Sequence, residues 1–206
     1  ELKVLFSDEK REIILLEGQA LFEVASNPDR PFVVFAADRR ITALGTEFEV
    51  RLDRQDVSVT LLEGKVEVAE LALVDSTATN NTLRSIELLP GQRVSGDLAQ
   101  TLEVSTDDLN RALSWREGRL QFKNERLSDV VYEINRYSVH EVRLADSSLG
   151  EIRVSGTFKA GTAAGFVSAL TTLYPLESRT QTLASGIKTF VVTERGREAG
   201  SVAVVE

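Results

Sequence analysis

Trp115–Tyr137, WREGRLQFKNERLSDVVYEINRY, is the stretch whose reading decides the fold. Arg119 to Phe122 alternates apolar and polar residues as a short strand does, and Lys123-Asn124 reads as the turn that ends it. Beyond that turn the apolar residues are Leu127, Val130, Val131, Ile134 and Tyr137. Their spacing places all five on one face of a 3.6-residue repeat, so a helix is expected over 125–138. The unit then returns. Phe158 answers Phe122, and Ala163, Phe166, Val167, Leu170 and Leu173 repeat the helix face. A strand–helix unit used twice implies one small α+β domain with a shared core. Its expected order is strand 119–122, helix 125–138, strands 141–145 and 152–158, helix 162–173 and strands 175–181 and 187–194. Residues 201–206 read as an edge strand or a frayed tail.

Upstream, residues 1–100 are strand after strand. Leu2–Phe6, Ile13–Leu16 and Gln19–Ala25 lead to a turn at Asn27-Pro28-Asp29-Arg30, an order that suits proline at the second turn position. Phe32–Ala36 is nearly continuous in apolar residues, as expected of a strand buried on both faces. Ile41–Leu52 reads as one strand bent or bulged at Gly45. Asp53-Arg54-Gln55-Asp56 connects it to Val57–Leu62, and Lys65–Ala69 follows. LLEGQALFEVA at Leu15–Ala25 recurs as LLEGKVEVA at Leu61–Ala69. In both, Glu-Gly makes a tight connection in which glycine takes positive φ, so two similar sheet corners are expected, in a sandwich or a coiled β stack. Asp75–Thr82 reads as a polar loop, and Ile86–Leu89 with Gln92–Ser95 closes the β region. Residues 96–104 read as a connector, and Ser105 or Thr106 as the cap of a short helix rich in early acidic residues. The fold class expected is α+β, with an all-β domain over 1–104 and a two-helix α+β domain over 105–206.

Hydrophobic content of 42% and charged content of 27% are ordinary for a globular chain. No apolar run approaches the ~20 residues that span a bilayer. With no methionine, Glu1 is not a natural start, and the sequence reads as part of a longer chain. The net charge is −8, carried almost entirely by residues 1–100, which argues against nucleic acid as a partner. The absence of cysteine excludes disulfides and thiolate chemistry and leaves the compartment open.

The residues that carry chemistry are few. His140 is the only histidine, and its neighbours mark it as a surface or loop residue. Glu17 and Glu63 occupy equivalent positions of the repeat, which is the signature of turn structure. Gly161–Gly165 (GTAAG) opens a helix without a basic residue in place to hold an anion, so it reads as an ordinary helix start. Asn80 begins an NxT triplet that matters only in a glycosylating host. No nucleotide-binding, zinc-protease or nucleophile-elbow motif is present. The expectation is therefore no enzyme, no metal and no cofactor. Trp115, Phe122 and Tyr137 read first as core, and Phe6, Phe22, Phe32, Phe35 and Phe48 sit in strand patterns typical of a core. A domain of few strands keeps an open sheet edge, and such edges take up another chain's strand. Gln121, Phe122, Val154 and Phe158 are the residues expected nearest such a contact.

Six segments, LLEGQALFEVA, PFVV, ALGTEFEVR, VTLLEGKVEV, LLPGQRV and ALSWREGRLQFKNERLSDVVYEINRY, resemble in the same order the periplasmic region of FecR-type anti-sigma regulators. The second half is also similar to the short signalling (STN) domain at the N-termini of secretins and TonB-dependent receptors. The family carries a cytosolic sigma-binding segment, one membrane helix and an opening β stretch before the point at which this sequence starts. The resemblance implies a periplasmic relay anchored in the inner membrane. It would dock the signalling domain of a TonB-dependent outer-membrane transducer and pass iron- or siderophore-type signals to an extracytoplasmic-function sigma factor. Two other classes are compatible with the residues: a self-assembling secretin-like scaffold module, and a carbohydrate-binding β domain of the cell envelope.

Overall fold

A computed structural model describes residues 1–8, 10–53, 56–71, 82–96, 101–103 and 106–196. The chain divides into two compact units, Glu1–Leu109 and Asn110–Glu206.

The first unit is built from two sheets. One has six strands in the order β1 (Leu2–Phe6), β2 (Arg11–Leu15), β4 (Phe32–Ala36), β5 (Arg39–Ala43), β8 (Val66–Leu71) and β9 (Thr82–Leu88). The other has five, β11 (Thr101–Glu103), β10 (Gln92–Ser95), β7 (Asp56–Glu63), β6 (Glu47–Asp53) and β3 (Gly18–Glu23). All neighbours are antiparallel except β2 and β4, which run parallel. Alternate residues of both sheets form one core. It is centred on the fully enclosed Val34, Ile41, Phe48, Val50, Leu61 and Val68, with Phe22 5.5 Å from Phe32 and 5.3 Å from Phe48 between ring centroids. The chain lays down one or two strands in a sheet, crosses to the other and returns, advancing in the same direction along both. It is thus a sandwich and a coiled stack at once.

The crossings explain the repeat. In each LLEG segment the chain leaves one sheet and enters the other: β2 to β3 at Glu17-Gly18, β7 to β8 at Gly64. Gly64 has φ +85°, and a Cβ there would lie 2.6 Å from the Gly45 carbonyl oxygen, so neither the turn nor the space admits a side chain. Gly45 is itself a crossing. Ile41–Leu52 is two strands in different sheets, β5 and β6, and the expected single bent strand is corrected accordingly. Three other expectations change. Phe32–Ala36 is enclosed on one face only, Phe35 being half-buried because its face of the sheet is not covered to the same depth. Phe6 is half exposed: its ring edge meets Phe32 at 6.3 Å, but β1 lies at the rim of its sheet. Finally, the connector 96–104 contains β11, which pairs with β10 through Gln92↔Glu103. The Asn27–Arg30 turn closes through the Arg30 amide and the Asn27 carbonyl at 3.2 Å. Arg54-Gln55, the 75–81 part of the polar loop with Asn80, Ser105 and residues 201–206 lie outside the described residues.

The second unit holds a two-stranded sheet, β12 (Arg119–Arg126) with β14 (Arg153–Lys159), and a three-stranded sheet in the order β13 (Glu141–Leu144), β16 (Lys188–Glu194), β15 (Leu176–Thr182). The helix α1 spans Thr106–Ala112, α2 spans Leu127–Tyr137 and α3 spans Ala163–Leu173. α2 buries Leu127, Val130, Val131 and Ile134, and α3 buries Ala163, Phe166, Val167 and Leu170, in one core that includes Leu120, Val142, Val154, Leu176 and Val192. The apolar spacing therefore locates both helices to within two residues. Lys123-Asn124 is not the end of a strand. Asn124 takes φ +56°, the register slips between Phe122 and Glu125, and β12 continues to Arg126, so the turn-forming pair makes a bulge.

Candidate protein-docking surface

The four residues expected at a contact lie together on the β12–β14 ribbon. Phe122 stands 6.0 Å from Phe158, and Phe158 meets Phe166 of α3 edge-on at 5.0 Å. Val154 is fully enclosed, while Gln121, Phe122 and Phe158 are half-buried. The side chains of Phe122, Val154 and Phe158 therefore join the core with the helices, Gln121 alternates to the other face, and what the ribbon presents outward is a different set. Along β14, Arg153, Ser155, Thr157 and Lys159 are exposed. Along β12, Arg119, Lys123, Asn124 and Arg126 are exposed. Sequence periodicity could identify the inward set, because core packing needs it; the outward polar residues leave no such signal.

The ribbon is basic on an acidic chain. Arg119, Lys123, Arg126, Arg153 and Lys159 face only Glu125 within the two strands. Like charges stand opposite one another at both ends, Arg119↔Lys159 and Arg126↔Arg153, which costs stability in an antiparallel pair. Arg119 pairs with Glu117, and Arg126 with Glu151 at 3.6 Å. Arg153 donates to the Asn124 carbonyl at 3.1 Å.

The edges of the two sheets in this unit differ in how they are finished. The outer edge of β13 is closed by one side chain: Asn135 of α2 donates through Nδ2 to the Val142 carbonyl at 2.9 Å and accepts from the Val142 amide at Oδ1, 2.8 Å. β12 is interrupted by its bulge, and the Ser114 hydroxyl donates to the Arg119 carbonyl at 3.0 Å. On β14 the end carbonyls are taken, Arg153 by the Tyr174 hydroxyl at 2.9 Å and Lys159 by Thr162 Oγ1 at 2.6 Å. No strand pairs with the other side of β14 among the described residues. Thr162 thus serves β14 and does not cap α3, which begins at Ala163 as the GTAAG reading expects. His140 lies in the bend between α2 and β13, where Nδ1 accepts the Lys188 amide at 3.3 Å.

The first unit has a second polar concentration that sequence reading missed. Glu23, Glu47 and Glu63 stand in register across β3, β6 and β7 and line an open cavity of about 400 Å³ with Ser26 and Thr46. No histidine, lysine or arginine is among the residues that line it. Among the described residues no group of three or more His, Asp or Glu is placed to hold a metal ion. On the sheet formed by β3, β6, β7, β10 and β11, Arg93 donates to Ser58 Oγ at 3.1 Å. Burial pushes its guanidinium below the ordinary arginine range, while Glu49 and Asp56 oppose that shift and Arg51 adds to it.

Residues 1–67 match the family described as FecR protein. No curated protein matches the sequence. Two crystal structures, each described as a candidate anti-sigma factor from Parabacteroides distasonis ATCC 8503, share the fold. The one at 1.65 Å resolution aligns over 95% of this chain and 86% of its own, with a TM-score of 0.68 and 19% identity. The one at 2.50 Å aligns over 92% and 84%, with a TM-score of 0.64 and 20% identity. The FecR match covers β1 to the start of β8, including both LLEG corners. The β12–β14 ribbon lies beyond it.

Proposed function

We propose that this chain is the periplasmic part of a membrane-anchored regulator of sigma-factor signalling, and that its second unit is an STN-like docking module. The FecR match over residues 1–67 and the fold shared with candidate anti-sigma factors support the regulatory role. The observation that carries the docking role is the β12–β14 ribbon: two strands only, its aromatic side anchored on α3 and its charged side exposed. The partner in this reading is the periplasmic signalling domain of a TonB-dependent outer-membrane transducer, and the inducing signal is of the iron or siderophore type. No helix among the described residues is long and apolar enough to cross a membrane.

Docking transmits a signal only if it differs in free energy between two states of the transducer or of this chain. Titration calorimetry of the purified chain against the signalling domains of its host's TonB-dependent transducers tests the reading. One-to-one binding that disappears when the transducer lacks that domain is expected. No heat, or equal binding to an unrelated transducer's β-barrel without that domain, overturns it. Sedimentation separates the scaffold alternative: a relay module is monomeric alone, whereas a secretin-like module forms oligomers without any partner.

A further inference from the structure

We infer that β14 is the edge that takes the partner, and that the partner contributes an acidic extended strand. This rests on the reading of the second unit as a docking module and adds to it the edge and the chemistry of what binds.

Ladder parity identifies the open groups. The Leu127 amide donates to the Ile152 carbonyl at 2.7 Å, and the Ala160 amide donates to the Gly118 carbonyl at 2.8 Å. Residues 152 and 160 therefore turn their backbone toward β12. The bulge lies in β12, so β14 keeps its alternation unbroken between them. Arg153, Ser155, Thr157 and Lys159 consequently turn N–H and C=O outward. The carbonyls of Arg153 and Lys159 have the partners Tyr174 and Thr162, which leaves both backbone groups of Ser155 and Thr157 for an incoming chain.

Two competitors fall away on physical grounds. β13 is occupied by the two-point contact from Asn135. β15 is exposed on both faces from Ser178 to Thr182, so an added strand would find no apolar face to fix its register. β14 offers such a face, with Val154 enclosed and Phe158 half-buried beside it. An open edge alternates donors and acceptors at strand spacing, which an extended peptide backbone matches along its length, whereas phosphate groups supply acceptors alone. Charge then selects among peptides. Arg153 and Lys159 flank the open groups, neither makes an ion pair with a described residue, and each stands opposite another cation. Acidic side chains at alternate positions of the incoming strand relieve both repulsions.

The test uses the full chain and two synthetic peptides, one alternating glutamate and valine, the other alternating lysine and valine. In amide NMR spectra the glutamate peptide is expected to shift Ser155 and Thr157, and to bind about tenfold more tightly than the lysine peptide at low salt. Thr157→Pro, which removes an outward N–H, should abolish the shifts, whereas Thr157→Ala should keep them. The double variant Arg153→Glu, Lys159→Glu should reverse the peptide preference and also reports if the proline variant fails to fold. Equal binding of both peptides, or shifts centred on Ser178 and Thr180, overturns the proposal. So does binding of anionic vesicles or duplex DNA that survives Thr157→Pro with the native amide spectrum retained. Because no transducer is present, failure here with transducer binding intact rejects only the edge. Success here without transducer binding rejects only the relay.

Discussion

The two LLEG glycines make a controlled comparison of backbone and space. Gly18 and Gly64 have nearly the same dihedral, φ +89° and +85°. A Cβ on Gly18 would have nothing nearer than 4.0 Å, while one on Gly64 would meet Gly45 O at 2.6 Å and Thr46 Cγ2 at 2.8 Å. Gly18→Ala should therefore cost about 1 kcal/mol, the left-handed penalty alone. Gly64→Ala adds a backbone clash and should cost about 3 kcal/mol. Native-state hydrogen exchange of the β6 and β7 amides checks both, and equal costs would show that the corner relaxes. At Arg93 the balance is electrostatic. The guanidinium is disfavoured by burial and upheld by Glu49 and Asp56. Arg93→Met leaves the buried Glu49 without that cation and should cost about 2 kcal/mol. The double variant with Glu49→Leu should recover most of the loss, since the buried carboxylate that the cation offsets is then removed as well.

At the level of elements, Asn135 does the work of a missing strand. Its amide makes both hydrogen bonds that a neighbouring strand would make to Val142. Asn135→Ala should cost about 2 kcal/mol for two buried backbone groups left unpaired. Faster exchange of the Val142 amide than of Val191 in the neighbouring strand is the measurement, and an unchanged rate would mean that water replaces the side chain. The same residue shows where sequence reading stops. α2 was legible because Leu127, Val130, Val131 and Ile134 must share a face, and helical periodicity is local. Nothing local states that Asn135, on the same helix, closes a sheet edge. The LLEG corners were legible as corners, yet the order β1-β2-β4-β5-β8-β9 depends on pairings such as the parallel β2 with β4, which no turn dictates. Gln121, Phe122, Val154 and Phe158 were recognisable as ribbon residues, but hydrophobicity pointed to the side that packs. The exposed residues of β14, Arg153 and Lys159 among them, alternate with the packed ones, but which of them carry charge follows no periodic rule, and the clustering of that charge becomes visible only when β14 is set antiparallel to β12.

At the scale of the molecule, the two cores have no residue in common among the described residues. Each unit buries its own apolar face, so each has its own source of cooperativity, and a single unfolding midpoint would misdescribe the protein. Val50 is completely enclosed in the first core and Ile134 nearly so in the second. Val50→Ala and Ile134→Ala each remove buried methyl groups and should cost about 2–4 kcal/mol. In differential scanning calorimetry two transitions are expected. Each substitution should lower one of them by roughly 10 °C or more and leave the other in place, given about 4–8 °C per kcal/mol for domains of this size. Docking adds a directional version of the same test. A ligand on β14 stabilises only what it binds, by an amount that grows with the logarithm of its concentration, so the second unit's transition should rise. If the first unit's transition rises with it, binding energy reaches the FecR-matching part, which a relay requires. If only the second rises, docking and relay are separate steps, and transmission must be sought outside these two cores.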